Sequence, residues 1–202
     1  MKDEQRIEPI LHYWFGFQPD DPDVIRQQIQ LWFTANPDTD RYVRDHFETD
    51  VGQAGVGALT EWQRTPRGRL ALIVLLDQFP RNIYRGTPEA FAHDHHALRL
   101  CLDGVAYRHD QQLRSIERLV FYLPMQHAED LAVQEQSVRC LEQLVTVVPS
   151  ALTDAFAHCV DFATRHHDII ARFGRFPHRN MILGRVSTPE EIAFLKEPGS
   201  SF

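Results

Sequence analysis

The sequence predicts an all-α protein, and three observations predict it: helix starts punctuated by proline, apolar residues at helical spacing, and no run with convincing period-two alternation. A capping side chain stands directly before proline at Asp21-Pro22, Asn36-Pro37, Thr65-Pro66, Thr87-Pro88 and Thr188-Pro189. The side-chain oxygen accepts from an otherwise orphaned amide, and proline's fixed φ suits the first helical position, where its missing N–H costs nothing. Glu191 follows Thr188 by three residues, the reciprocal arrangement of a capping box.

Between these starts the stripes follow in order. Leu70 to Phe79 is apolar nearly all round and is expected to be the central helix, covered on every side. Phe91, Leu98, Leu102 and Val105 form one stripe; Leu113, Ile116 and Val120 a second; Leu131, Val138, Leu141, Val145 and Val148 a third. Phe156, Cys159, Val160, Ala163, Ile170 and Phe173 belong to a long helix whose other side, His158, Asp161, Arg165, Asp168 and Arg172, offers ion pairs four residues apart. About seven to nine helices are expected. No Pro/Gly/Ser-rich linker or charge block divides them, so residues 1–202 read as one domain with its core over about 8–195 and a loosely held tail from Lys196 to Phe202. The glycines of Val51–Gly57 lack the GxGxxG order and a preceding strand, and read as close helix packing or a local break.

The 202 residues are 43% hydrophobic and 24% charged, which suits one substantial core and argues against disorder. A formal net charge of -7, from 28 acidic and 21 basic residues, denies the chain a protein-wide positive field, so neither nucleic acid nor an anionic membrane is expected as partner. The longest apolar run, Leu70–Leu76, falls far short of the roughly 20 residues of a spanning helix. The start, Met1-Lys2-Asp3-Glu4-Gln5-Arg6, has no secretory pattern, and a cytoplasmic location is expected. Cys101, Cys140 and Cys159 are widely spaced among apolar neighbours and read as small buried hydrophobes. The aromatic run His12 to Phe17, with Trp32, Phe33 and Trp62, has no interleaved basic residues and reads as core rather than a base-stacking platform.

One internal echo carries possible chemistry. Phe79-Pro80-Arg81-Asn82-Ile83 and Phe176-Pro177-His178-Arg179-Asn180-Met181 are near copies, each after an amphipathic helix that proline is expected to stop. Either the Arg–Asn pairs satisfy the orphan carbonyls of helix ends, or the two loops converge on an anion that guanidinium grips bidentately. No acidic residue falls between Asp168 and Glu190, whereas Arg172, Arg175, Arg179 and Arg185 do, and the first loop adds Arg85. The ligand-binding candidates are therefore Arg81, Asn82, Arg85, Arg175, His178, Arg179 and Asn180. For proton transfer the candidates are His127 with Glu129, His178, and Asp77 at the end of the central helix. His95 and His166 fall on apolar stripes and should face inward; Arg114 and Glu117 should pair on a helix surface. No His-Glu-x-x-His, Cys-x-x-Cys or Gly-x-Ser-x-Gly pattern occurs, so no metal and no cofactor is expected.

Taken together, Tyr13-Trp14-Phe15-Gly16, Thr65-Pro66-Arg67-Gly68, the Leu75-Leu76-Asp77-Gln78-Phe79-Pro80-Arg81-Asn82 block, Ala90-Phe91-Ala92-His93-Asp94, Met125-Gln126-His127-Ala128-Glu129 and Phe173-Gly174-Arg175-Phe176-Pro177-His178-Arg179-Asn180 resemble a bacterial family catalogued as domain of unknown function 924. The resemblance runs over about residues 8–195. It implies a tetratricopeptide-like right-handed helical superhelix in a cytoplasmic protein and carries no assigned reaction. Ala128 departs from the serine usual at that position. The readings to be tested are a concave site for an anionic small molecule or acidic peptide end, with Asp77 and Glu129 orienting the arginines; a small-molecule hydrolase using His127 or His178; and a purely structural or protein-interaction scaffold.

Overall fold

The computed structural model describes residues 3–16 and 21–201; Phe17, Phe202 and the side chain of Phe33 lie outside the described residues. In chain order the helices are α1 (Glu4–Phe15), α2 (Pro22–Phe33), α3 (Pro37–Gly55), α4 (Pro66–Ile73), α5 (Phe79–Ile83), α6 (Asp94–Ala106), α7 (Ser115–Gln126), α8 (Leu131–Val145), α9 (Thr153–Phe173) and α10 (Pro189–Phe194). No strand occurs among the described residues, and none of their helices is long and apolar enough to cross a membrane.

Local chemistry sets most helix starts. The Asp21 carboxylate accepts from the amides of Asp23 and Val24, Asn36 from Asp38, and Thr65 from Gly68. Thr188 and Glu191 complete both halves of the capping box that opens α10. Thr87-Pro88 differs: it opens only the 3-10 turn Pro88–Phe91, because the Thr87 hydroxyl donates back to the Tyr84 carbonyl instead of capping forward.

Proline does not end the central helix. Pro80 has no N–H to offer the Leu76 carbonyl, and the chain absorbs the defect in a π-helical turn, Val74–Gln78, where the Phe79 amide donates to the Val74 carbonyl. α4, this turn and α5 form one rod, which packs against α1, α3, α6 and α7. Leu70 through Leu76 and Phe79 are buried, as the all-round apolar pattern requires. The second echo follows another rule, since α9 stops at Gly174, three residues before Pro177, in the left-handed conformation (φ 69°) that glycine adopts without strain.

One apolar core runs from Ile7 to Ala163, with Trp14, Phe15, Trp62 and Phe156 inside it and Trp32 against its edge. Ile169, Ile170 and Phe176 form a smaller cluster flanked by Phe173 and Phe194. Gly55 lies where a Cβ would sit 2.6 Å from the His93 ring, and Gly57 has φ +77°, so the glycine stretch serves both close packing and a helix break. Cys101 and Cys159 are buried and Cys140 partly so, and burial pushes all three thiols up.

Several expected contacts fall elsewhere. His95 is exposed, because α6 begins only at Asp94 and its packed stripe starts two residues beyond His95, at Ala97. Glu117 is buried rather than on a surface: besides Arg114 at 3.1 Å it meets Arg67 of α4, also at 3.1 Å. Arg172 pairs with Glu190 at 2.9 Å, and Arg165 lies over the Phe162 ring. In the tail, Ser200 is buried and its hydroxyl donates to the Leu195 carbonyl, folding the described part back toward α10.

Candidate functional site

A cavity of about 330 Å³ opens where the ends of α2, α5 and α7 meet the middle of α9 and the turn Pro177–Arg179. Its wall carries Arg81, Asn82, Arg85, His127, His178 and Arg179, with Gln78 and Gln126 adding amides and Trp32, Phe91, Leu123, Phe162 and Ile182 an apolar surface. Among the described residues no carboxylate lines it. Three stand directly behind the arginines.

Asp94, the first residue of α6, brings the two Arg–Asn segments together. Its carboxylate accepts both Nη1 and Nη2 of Arg81 at 3.0 Å, and Arg179 Nη1 lies 3.6 Å away. The Arg179 guanidinium is held between the rings of Phe91 (4.9 Å) and Phe176 (4.4 Å), and Nη1 donates to the His127 carbonyl at the C-terminus of α7 (3.0 Å). Its Nε is buried and has no hydrogen-bond partner among the described residues. Burial, with Arg81 close by, pulls this guanidinium down to about 10.

Beneath the arginines lies a histidine–carboxylate dyad. The π turn places Asp77 inside the rod rather than at its end, fully buried, with its Oδ1 2.7 Å from His127 Nδ1. Gln78 donates to the other carboxylate oxygen, and Arg81 lies 3.4 Å from Oδ1 while donating to the Asp77 carbonyl at 2.6 Å. Burial alone would raise the Asp77 carboxyl, but Arg81 and His127 overcome it and hold it well below the usual carboxylate range. Burial and then Arg81 push His127 below the ordinary histidine value, so the imidazole is neutral, donating from Nδ1 and keeping a lone pair on Nε2. His127 caps the end of α7, with Pro124 inside that helix.

The remaining candidates are placed as follows. Asn82 donates to Asp40 of α3 at 2.8 Å, and Arg85 forks onto the same carboxylate with two bonds of 2.8 Å. Arg175 and Asn180 point away from the cavity: Arg175 forks onto Glu191 at 2.7 and 2.8 Å, and Asn180 donates to the same carboxylate and to Ser187. Glu129 holds Arg185 at 2.6 and 2.9 Å and accepts the Phe176 amide, so it orients neither Arg81 nor Arg179 through its own bonds. His178 lines the cavity, and burial followed by Arg179 brings it down to about 4. Burial takes His166 to about 3, and its Nδ1 donates to the Phe162 carbonyl at 2.8 Å. Sequence reasoning did not single out Asp94, Phe91, Gln78 or Gln126 for the site; the Ala90–Asp94 block was visible, but nothing local tied it to residues 81 and 179. Among the described residues no three His, Cys, Asp or Glu side chains converge as metal ligands.

Fold and cavity together define an all-helical protein with a guanidinium- and imidazole-lined cavity backed by carboxylates, of which Asp77 is fully buried. The chain belongs to the family described as "Bacterial protein of unknown function (DUF924)", whose model matches residues 10–199. It is similar to a solved structure, "Structure of Protein of Unknown Function ATU0120 from Agrobacterium tumefaciens", with 34% identity, a TM-score of 0.80, and 96% of this chain and 98% of that chain covered. No curated protein matches the chain.

Proposed function

We propose that the cavity binds a small organic anion, its charged head against Arg179, Arg81 and Arg85 and its apolar body against Trp32, Phe91, Phe162 and Ile182. The observation that carries this reading is a wall with three guanidinium groups and, among the described residues, no carboxylate. Guanidinium groups lining a partly desolvated wall bind a carboxylate or phosphate oxygen through charge-assisted hydrogen bonds, which are about twice as strong as neutral ones. A volume near 330 Å³ lies at the small end of ligand sites and favours a small molecule over a long peptide.

The test is isothermal titration and thermal shift with benzoate, phenylacetate and phenyl phosphate. Binding heat and a raised melting temperature are expected for the wild type, with affinity at least about tenfold weaker in Arg179→Ala, the scale of a charge-assisted bond. Arg85→Ala, at a half-exposed position, serves as a second variant less prone to unfold. If no anion binds, and Arg179→Ala only lowers stability, the arginines serve the scaffold and the reading fails.

A further inference from the structure

We infer that the cavity is a hydrolytic site for an ester that carries one free carboxylate, with His127, held by Asp77, as the base that activates water. This rests on the anion-binding reading and adds a reaction to it. Two observations select the substrate. The first is charge: Arg81, Arg85 and Arg179 face Asp94, Asp40 and Asp77, so the six fixed charges of the site sum to zero. A neutral set whose described members present only their positive side to the cavity favours a monoanion, which leaves one net negative charge uncompensated where a phosphate dianion leaves two. The second is surface: about 330 Å³ with an aromatic and aliphatic side accommodates a carboxylate arm and one apolar alcohol.

The dyad supplies the chemistry. His127 Nδ1 is committed to Asp77 Oδ1 at 2.7 Å, which fixes the tautomer and leaves Nε2 as the basic nitrogen of a side chain that lines the cavity. Nε2 takes a proton from water as the water oxygen bonds to the ester carbonyl carbon and the carbonyl electron pair moves onto oxygen. The oxyanion faces a wall of guanidinium and amide donors. Its collapse re-forms the carbonyl and breaks the bond to the alkoxy oxygen, which receives the proton from the imidazolium. Acid and alcohol leave, and His127 is neutral again. Asp77 stays ionised throughout and stabilises the imidazolium, its own pairing with Arg81 keeping it deprotonated.

Monobenzyl succinate and benzyl butyrate share the benzyl ester and differ in the carboxylate. The wild type should cleave the first with kcat/KM at least about tenfold higher, measured as released benzyl alcohol. His127→Gln should lower kcat about 100-fold or more, the usual contribution of general base catalysis. It should still bind N-benzylsuccinamate, the amide of the same shape, with affinity close to wild type by calorimetry. His127→Asn is the second variant should the first not fold by circular dichroism. If the wild type binds N-benzylsuccinamate but cleaves the ester no faster than a folded His127 variant, the hydrolytic inference is overturned and anion binding stands. Loss of both binding and cleavage in the wild type overturns both.

Discussion

His166 should make this protein's stability fall with acid in a defined window. The imidazole is buried against the rings of Phe162 and Phe176, each 5.6 Å away, with His127 at 6.5 Å, and burial brings it down to about 3. In the unfolded chain a histidine titrates near 6.5. Between these values the unfolded state binds a proton that the folded state refuses, so stability rises with pH and is lost as pH falls from about 6.5 toward 3. Each pH unit of that window is worth about 1.4 kcal/mol, which gives a loss of about 2 kcal/mol between pH 8 and pH 5. The assay is urea unfolding at both pH values for the wild type and His166→Phe. Phenylalanine keeps the ring packing and removes the titration. His127 and His178, which also sit below the ordinary value, titrate in both proteins and cancel in the difference. The wild type should lose about 2 kcal/mol more than the variant over this interval; losses that agree within about 0.5 kcal/mol would show that His166 is protonated in the fold and refute the argument.

Two further perturbations test the packing that supports the site. Gly68→Ala places a Cβ 2.3 Å from the Trp62 carbonyl oxygen and 2.8 Å from the capping Thr65 hydroxyl, so backbone must shift; a loss of about 1–3 kcal/mol, the usual cost of overpacking, should appear as a lowered melting temperature. Asp77→Ala leaves the partly buried His127 Nδ1 without its acceptor and Arg81 with Asp94 as its remaining carboxylate, and should cost about 1–3 kcal/mol in urea unfolding; a loss below about 0.5 kcal/mol would mean that water replaces the carboxylate.

How far the site could be read from sequence follows from the range of each interaction. Caps at Asp21, Asn36, Thr65 and Thr188 act within three residues, and the expected bond is the observed one at each. Pro80 misled because the rule that proline stops a helix assumes i to i−4 bonding; the helix changed period instead, and that change carried Asp77 from an expected helix end into the wall of the dyad. Glu117 misled for a different reason, since its burying partner Arg67 is 50 residues away in sequence and nothing local announces it. Asp94 is the same case at the site itself: its significance exists only once Arg81 and Arg179 reach it from opposite halves of the chain.

The two echoes show why structural and functional readings of one motif need not compete. In each, asparagine donates to a carboxylate brought from another element, and a second arginine forks onto that same carboxylate: Asn82 and Arg85 on Asp40, Asn180 and Arg175 on Glu191. That repeated triad anchors the segment. The arginine inside each motif is thereby turned the other way, Arg81 and Arg179 both to Asp94 and the cavity. A net charge of -7 is thus compatible with a cationic wall, because the nearest acids are already engaged behind the arginines, holding guanidinium groups in a wall that shows a ligand only their positive side. Neutralising an anchor and neutralising a cavity arginine should therefore separate experimentally: the anchor's loss loosens the segment, whereas the loss of Arg179 removes the charge a bound anion would meet.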